Sequence, residues 1–168
     1  MKLRKASPED EAAVLELYRE ASVFLASQGI DQWQDGYPNR EAFQADLARG
    51  ESWVVEEGGR VLATACLGFG REPTYDRIYQ GSWAVEAEEY AFLHRIAVSG
   101  ELRGKNAPSL FFGQLEQDAR RRGLPCLRGD THRDNKIMQH VLEKNGLSYR
   151  GVIYLADGGE RFAFEKVL

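Results

Sequence analysis

Apolar residues recur at two spacings along the chain, and the spacing separates helices from strands. Apolar side chains three or four positions apart predict four amphipathic helices, over residues 7–29, 39–50, 108–122 and 135–146. Short apolar runs predict three single strands and two hairpins, over residues 3–6, 90–98, 125–131, 52–69 and 148–168. Residues 71–83 follow neither spacing and predict an irregular excursion.

Turn and cap residues occur at the boundaries of these predicted helices and strands. Ser7 followed by Pro8 is typical of a helix start, and Gly29 is typical of a helix end. Gly58-Gly59 supplies the positive φ values of a tight hairpin turn. The element order β-α-α-β-β-β-α-β-α-β-β predicts an α/β or α+β fold, in which helices flank a mixed sheet. The 168 residues suit one domain over 1–168.

Composition narrows the class of protein. Apolar residues make up 43% and charged residues 29%, and the net charge is −4, which argues against general nucleic-acid binding. The two cysteines, Cys66 and Cys126, have neither disulfide nor zinc-site spacing. We expect both to be reduced core residues of a cytoplasmic protein. The N-terminus lacks an apolar h-region and no run is long enough to span a bilayer, so we expect no secretory signal and no membrane partner.

The segment ELRGKNAPSL, residues 101–110, joins a strand to a helix and carries basic residues at the junction. A helix N-terminus offers unpaired N–H groups and a positive dipole end, which together bind phosphate. Asn106 tolerates the left-handed conformation well, whereas Pro108 has no N–H but suits the first helical position. The alternative interpretation is a proline-started helix with solvated basic residues.

By its element order the whole chain resembles the GCN5-related N-acetyltransferase (GNAT) superfamily, and the resemblance is sharpest from Tyr90 to Gly151. Its pyrophosphate loop follows a strand ending in Val, here Val98, and opens with Arg or Gln, here Arg103. Asn106 and Pro108 stand where the superfamily has small residues. The next helix begins with an Asn in many members, here Asn135, and closes with Gly-Phe, here Gly146-Leu147.

The resemblance implies a splayed mixed sheet and transfer of an acetyl group from acetyl-CoA directly to a primary amine of a small molecule or peptide. It implies coenzyme A as cofactor and no metal. The residues it assigns to cofactor binding are Ile96, Ala97, Val98, Arg103, Gly104, Lys105, Asn106, Ala107, Ser109 and Asn135. Two alternatives remain: a catalytically weak or inactive member serving as an acyl-CoA sensor or interaction module, and a purely structural α/β module.

His94 is the candidate general base, because a histidine titrates near neutrality and the strand around it is otherwise apolar. The sequence FLHRIAV resembles the His-x-His strand of arylalkylamine acetyltransferases, with Phe92 in place of the first histidine. A core histidine bonded to the backbone is the alternative, and Glu88 or Glu89 acting through water is another.

The candidate general acid is Tyr149. Many members carry a tyrosine four residues before the Gly of the Gly-Phe pair, and here that position is Leu142, which cannot donate a proton. Tyr149 or Tyr154 could substitute, although aromatic residues in strands usually pack. The thiolate could instead take its proton from solvent.

The polar segment RGDTHRDN, residues 128–135, lacks tight metal-ligand spacing. We expect Thr131 or Asp134 to cap the following helix, and Asp130 to face the acceptor. Trp33, Tyr75 and Trp83 are the candidate aromatic contacts of a cationic amine, drawn from the first helix pair and the excursion. The alternative is that these aromatics pin long loops to the core. A homodimer is left open by the apolar C-terminal hairpin.

Overall fold

The computed structural model describes residues 1–168 and contains four helices and seven strands. The helices are α1 (Glu11–Ser27), α2 (Arg40–Ala48), α3 (Pro108–Arg121) and α4 (Lys136–Lys144). The strands are β1 (Lys2–Lys5), β2 (Ser52–Glu57), β3 (Arg60–Gly70), β4 (Tyr90–Val98), β5 (Cys126–Thr131), β6 (Ser148–Tyr154) and β7 (Glu160–Val167). This order confirms the predicted sequence of elements.

The strands form one mixed sheet in the order β1-β2-β3-β4-β5-β7-β6. β4 pairs in parallel with β5 through Ala91–Leu127 and Phe92–Arg128. The β1–β2, β2–β3, β5–β7 and β6–β7 pairs are antiparallel. The predicted fold class is therefore confirmed. No helix has the length and apolar character needed to cross a membrane.

Turn and cap residues account for most element boundaries. Gly58 and Gly59 have φ values of 60° and 75°, as the predicted hairpin turn requires. Gly29 ends the first helix at a φ of 70°. The predicted cap of α4 was wrong: the side-chain oxygen of Asn135, rather than that of Thr131 or Asp134, accepts from the Met138 N–H at 3.1 Å. Asn135 has φ −82° and ψ 73°, a non-helical conformation that suits an N-cap residue.

One compact unit consists of residues 1–67 and 94–111. Its core lies between α1, α2 and the strands, and the buried residues that form it are Val14, Leu17, Tyr18, Phe43, Val54 and Ala97. α1 and α2 supply most of these side chains from the apolar positions that predicted the helices.

A second compact unit consists of residues 68–93 and 112–168. Its buried core includes Tyr75, Tyr90, Phe92, Cys126, Ile153 and Ala163. The excursion between β3 and β4 belongs to this unit and contains a single turn of 3₁₀ helix at Pro73–Tyr75. The prediction of a single domain over 1–168 stays a prediction.

Two glycines let the excursion lie directly on β6. Tyr79 exchanges backbone hydrogen bonds with Val152 at 2.7 and 2.8 Å, and the Ser82 N–H donates to the Arg150 carbonyl. A Cβ at Gly81 would lie 1.9 Å from that carbonyl oxygen, and one at Gly151 would lie 2.6 Å from the Tyr79 oxygen. The excursion is thus fixed to the sheet by close backbone approach.

Candidate active site

The loop between β4 and α3 is a compact turn anchored by a buried leucine. Leu102 is 2% exposed, and the Ser99 hydroxyl accepts a hydrogen bond from the Glu101 N–H at 3.3 Å. Pro108 is the first residue of α3, as predicted. Sequence and structure therefore agree on a loop that joins the end of a strand to the N-terminus of a helix.

The loop backbone takes the left-handed conformation twice. Gly104 has a φ of 77° and Asn106 has a φ of 59°, which confirms that the asparagine adopts the conformation usually given to glycine. The N–H groups of Arg103 and Lys105 donate to carbonyls within the turn. Those of Gly104, Asn106 and Ala107 donate to no other backbone group outside the helix. Successive N–H groups around left-handed residues form a concave surface that suits an anion.

The basic side chains of the loop differ in their engagement. The Lys105 ammonium lies 3.1 Å from the Glu57 carboxylate in an exposed ion pair. The Arg103 guanidinium lies over the Phe24 ring, 5.8 Å from its centre. The Ser109 hydroxyl donates to the Asn106 side-chain oxygen at 2.9 Å. Arg103 therefore keeps its hydrogen-bonding capacity, whereas Lys105 and Ser109 have protein partners.

β4 carries His94, which is half-buried, and the candidate backbone donors Ile96, Ala97 and Val98. Arg95 lies within the strand and has a φ of 51°. Its guanidinium donates two hydrogen bonds to the carboxylate of Asp46, which is only 2% exposed. Neither Arg95 nor Asp46 was predicted from the sequence, although a charged residue inside an apolar strand was the available signal.

Asp46 also belongs to a group of potential metal ligands with Glu51 and Cys66, whose ligand atoms lie within 4.8 Å of one another. Arg49 and Arg95 contact the carboxylate of Asp46, and Arg49 contacts that of Glu51. Burial raises the pKa of the Cys66 thiol to about 12, so it stays protonated. The two carboxylates of the group are thus paired with arginines, and the thiol beside them is neutral.

A buried ion pair joins β5 and β7 in the second unit. Arg128 donates to Glu165 at 3.0 Å, and their side chains are 3% and 0% exposed. The guanidinium lies 4.2 Å from the ring centres of both Trp83 and Tyr90. Glu165 also accepts from the Ala84 N–H at 2.7 Å. The end of the excursion is thus held by Arg128 at the Trp83 ring and by Glu165 at the Ala84 backbone.

Three of the four predicted acceptor residues meet in this unit. The Tyr75 hydroxyl donates to the Asp130 carboxylate at 2.6 Å, and the Trp83 indole N–H donates to the Tyr75 carbonyl. Tyr75 is 1% exposed, and burial, reinforced by Asp130, raises its pKa well above the usual tyrosine range. Tyr75 therefore orients the carboxylate as a neutral donor.

The remaining candidates have structural contacts of their own. Trp33 packs edge-on against Tyr18, with ring centres 6.1 Å apart. Tyr149 is 44% exposed and packs against the rings of Phe162 and Phe164 on β7. These contacts agree with the packing alternative considered from the sequence, and the roles of Trp33 in acceptor binding and of Tyr149 as acid stay predictions.

Comparison with known proteins places this geometry in a family. The sequence profile of the acetyltransferase (GNAT) family matches residues 12–147. A GNAT-family acetyltransferase from Streptococcus agalactiae 2603 is 37% identical and superimposes with a TM-score of 0.90, over 99% of this chain and 95% of that chain. No curated protein sequence matches.

More distant structures share the fold. A ribosomal-protein-alanine N-acetyltransferase from Brucella melitensis is 18% identical, with a TM-score of 0.70 over the full length of both chains. A Salmonella typhimurium protein solved with its cofactor acetyl-CoA is 20% identical, with a TM-score of 0.66 over 99% of this chain and 93% of that chain. The chain therefore belongs to the acetyltransferase (GNAT) family, whose members use acetyl-CoA as acetyl donor.

Proposed function

We propose that this acetyltransferase moves an acetyl group from acetyl-CoA directly to a primary amine of a small molecule or peptide. The observation that carries the proposal is the pair of left-handed residues, Gly104 and Asn106, at the start of α3. Together they leave three N–H groups available beside Arg103. This arrangement fits a diphosphate, because helix N-termini and oriented amides bind anions and arginine adds charge.

The donor-binding residues divide by the kind of contact they offer. Gly104, Asn106 and Ala107 supply backbone N–H groups, and Arg103 supplies a guanidinium that can form paired hydrogen bonds to phosphate oxygens. Lys105 contributes charge at the cost of its exposed pair with Glu57. Asn135 caps α4 and is proposed to contact the amide-bearing arm of the donor.

The chemistry needs a polarised carbonyl and two proton transfers. Bound acetyl-CoA supplies an activated thioester. A backbone N–H among Ile96, Ala97 and Val98 is proposed to polarise the carbonyl, as an oxyanion-hole donor does. His94 takes one proton from the substrate ammonium, and the free amine attacks the thioester carbonyl. As the C–N bond forms and the C–S bond breaks, the nitrogen loses a second proton, which reaches the departing thiolate through Tyr149 or solvent, so atoms and charge balance.

The acceptor class follows from the contacts of Asp130. A carboxylate held by a neutral tyrosine hydroxyl, with Trp83 adjacent, suits recognition of a cationic amine. Trp33 is proposed to contribute a further aromatic surface. A substrate amine is mostly protonated at neutral pH, so an anionic contact at the acceptor end raises its local concentration.

A second candidate function is acyl-CoA binding without turnover. Leu142 occupies the position where many relatives carry a tyrosine, and it is 1% exposed, packed beneath Gly129. It therefore donates no proton. Asn106 and Pro108 also depart from the superfamily's loop pattern. These features favour a sensor if the thiolate has no other proton source.

Free-thiol release from acetyl-CoA, measured over a panel of amines and peptides, tests the proposal and separates the two candidates. Sustained turnover with at least one amine supports the transferase. Calorimetric binding of acetyl-CoA with no turnover on any amine supports the sensor. No heat of binding at millimolar acetyl-CoA overturns both. His94→Gln then tests the base: an unchanged rate and pH profile removes that role.

A further inference from the structure

Arg95 has a conformation that its side chain does not favour. Its φ of 51° lies within a strand, where non-glycine residues have negative φ. Strained residues of this kind persist only where the surrounding structure fixes them, and they concentrate at functional sites. A glycine would adopt this φ without steric cost, so an arginine here needs a separate explanation.

The side chain of Arg95 provides the explanation, because two hydrogen bonds to one carboxylate fix its position. Its Nε donates to Asp46 Oδ2 at 2.7 Å and its Nη2 to Asp46 Oδ1 at 2.5 Å. The two side chains are 13% and 3% exposed. A bidentate pair fixes orientation as well as distance, because the planar guanidinium matches the two carboxylate oxygens.

Two chain segments contact this guanidinium, and a second arginine contacts its carboxylate partner. Asp46 comes from α2, and the Tyr37 hydroxyl, from the loop before α2, accepts from Arg95 Nη1 at 2.6 Å. Arg49, which is 52% exposed, contacts the same carboxylate oxygen of Asp46 at 2.7 Å. The burial of the pair raises the question of function, because a salt bridge removed from water adds little net stability.

The position of Arg95 along β4 indicates what the ion pair does. Arg95 lies between His94 and Ile96, so its φ and ψ set the directions of the peptide groups on either side. We propose that the Arg95–Asp46 pair, braced by Tyr37, is a positioning device that fixes the backbone from His94 to Ala97 for acetyl transfer. Arg95 and Asp46 act through that backbone and touch no substrate. This inference rests on the proposed transferase activity for its functional consequence.

The experiment compares Arg95→Gly with Arg49→Gln. Arg95→Gly keeps the left-handed φ accessible but removes the bidentate Arg95–Asp46 pair, here called the clamp. Asp46 retains Arg49 as a partner, so the variant is expected to fold. Arg49→Gln removes the exposed partner of the same carboxylate and leaves the clamp in place. A third variant, Tyr37→Phe, removes only the bracing hydroxyl, and Arg95→Lys keeps the charge without the bidentate fork.

Two readouts are measured on each variant. Amide hydrogen exchange of residues 94–98 is expected to rise at least tenfold in Arg95→Gly and to stay unchanged in Arg49→Gln. The kcat with an amine from the panel is expected to fall about 10- to 100-fold in Arg95→Gly, a loss typical of misplaced catalytic groups. The KM for acetyl-CoA is expected to stay within threefold, because the loop between β4 and α3 is intact. Tyr37→Phe and Arg95→Lys should give smaller changes in the same direction.

Unchanged exchange in Arg95→Gly overturns the proposal, since the clamp would then not hold the strand. Raised exchange with an unchanged kcat also overturns it, and leaves the pair a purely structural role. If the wild-type protein turns over no amine, the proposed function fails on its own evidence, and the exchange data alone decide whether the clamp fixes the strand.

Discussion

The guanidinium of Arg128 lies between the rings of Trp83 and Tyr90 while it donates to the carboxylate of Glu165, and this pair is among the most deeply buried charges in the molecule. Arg128 also donates to the Val85 carbonyl at 2.6 Å. One ion pair thus connects the sheet to the excursion. The arrangement makes the excursion's order depend on two strand residues distant from it in sequence.

Removal of one partner of this pair should be strongly destabilising. Arg128→Met leaves Glu165 buried with only weak charge compensation from Arg150, 3.7 Å away. We expect a loss of about 3–5 kcal/mol in the free energy of unfolding, measured by urea titration. The double variant Arg128→Met/Glu165→Gln, which leaves no buried charge, should recover part of the loss. A single variant no less stable than the double variant would contradict this account.

Gly81→Ala tests how the excursion is fixed. The added Cβ would meet the Arg150 carbonyl oxygen at 1.9 Å, so the excursion must lift from β6. We expect a KM for the amine raised about tenfold or more, with the affinity for acetyl-CoA by calorimetry unchanged, because one misplaced contact has an effect of this order. Gly113→Ala, in α3 with no atom within 4 Å of the new methyl, is the matched control. Equal effects of the two changes would show that the excursion does not carry acceptor contacts.

The loop between β4 and α3 illustrates which features a sequence can predict. Asn106 and Pro108 have strong local preferences, for the left-handed conformation and for the first helical position, and both predictions were confirmed. The hydrophobic pattern likewise predicted every strand and helix in order. The conformational preferences of neighbouring residues decide these features, so a single sequence is sufficient to predict them.

Features that depend on distant partners were not predictable in this way. Arg95 has no local preference for a positive φ, and only Asp46, 49 positions away in sequence, explains it. The burial of Arg128 depends in the same way on Glu165. The cap of α4 was wrongly assigned because Thr131, Asp134 and Asn135 have similar preferences, and the helix begins only after Asn135.

Asn106→Gly should leave acetyl-CoA affinity unchanged or tighten it, because glycine also adopts the left-handed conformation. The change removes the bond from Ser109 to the asparagine oxygen and so frees that hydroxyl. Asn106→Val, which strongly disfavours a positive φ, should weaken binding about tenfold or more, by 1.4 kcal/mol for each factor of ten. Calorimetric titration with acetyl-CoA provides the measurement. A large loss in the glycine variant would show that the asparagine side chain itself contacts the donor.

Asp10 should make stability depend on pH on the acid side. Hydrogen bonds from Arg4 hold the pKa of this carboxyl below its ordinary value; burial opposes the shift and the Ser7 N–H adds to it. Because the folded-state pKa is the lower one, the stabilisation is present above about pH 4 and is lost as the pH falls through the folded-state pKa. Asp10→Asn should cost about 1.5–3 kcal/mol at pH 7, by urea titration, and flatten the acid limb.

Asp76→Asn is the control for that measurement, since its ion pair with Arg71 is exposed to solvent. Solvent screening should leave this variant close to the wild type in stability at every pH. If Asp10→Asn retained the wild-type acid limb, other carboxyl groups would account for the pH dependence, and the pair with Arg4 would be a contact without thermodynamic consequence.

Glu57→Gln should tighten acetyl-CoA binding. The Lys105 ammonium is paired with the Glu57 carboxylate, so a neutral residue at position 57 leaves the ammonium available to phosphate. Because the pair is exposed, we expect a gain of about two- to fivefold in affinity at low salt that shrinks as ionic strength rises. Glu101→Gln is the matched control: it removes the same charge near the loop but frees Arg60 instead of Lys105. A gain of equal size in both variants would assign the effect to the electrostatic potential around the loop. A gain confined to Glu57→Gln, and abolished by adding Lys105→Gln, would assign it to the released lysine.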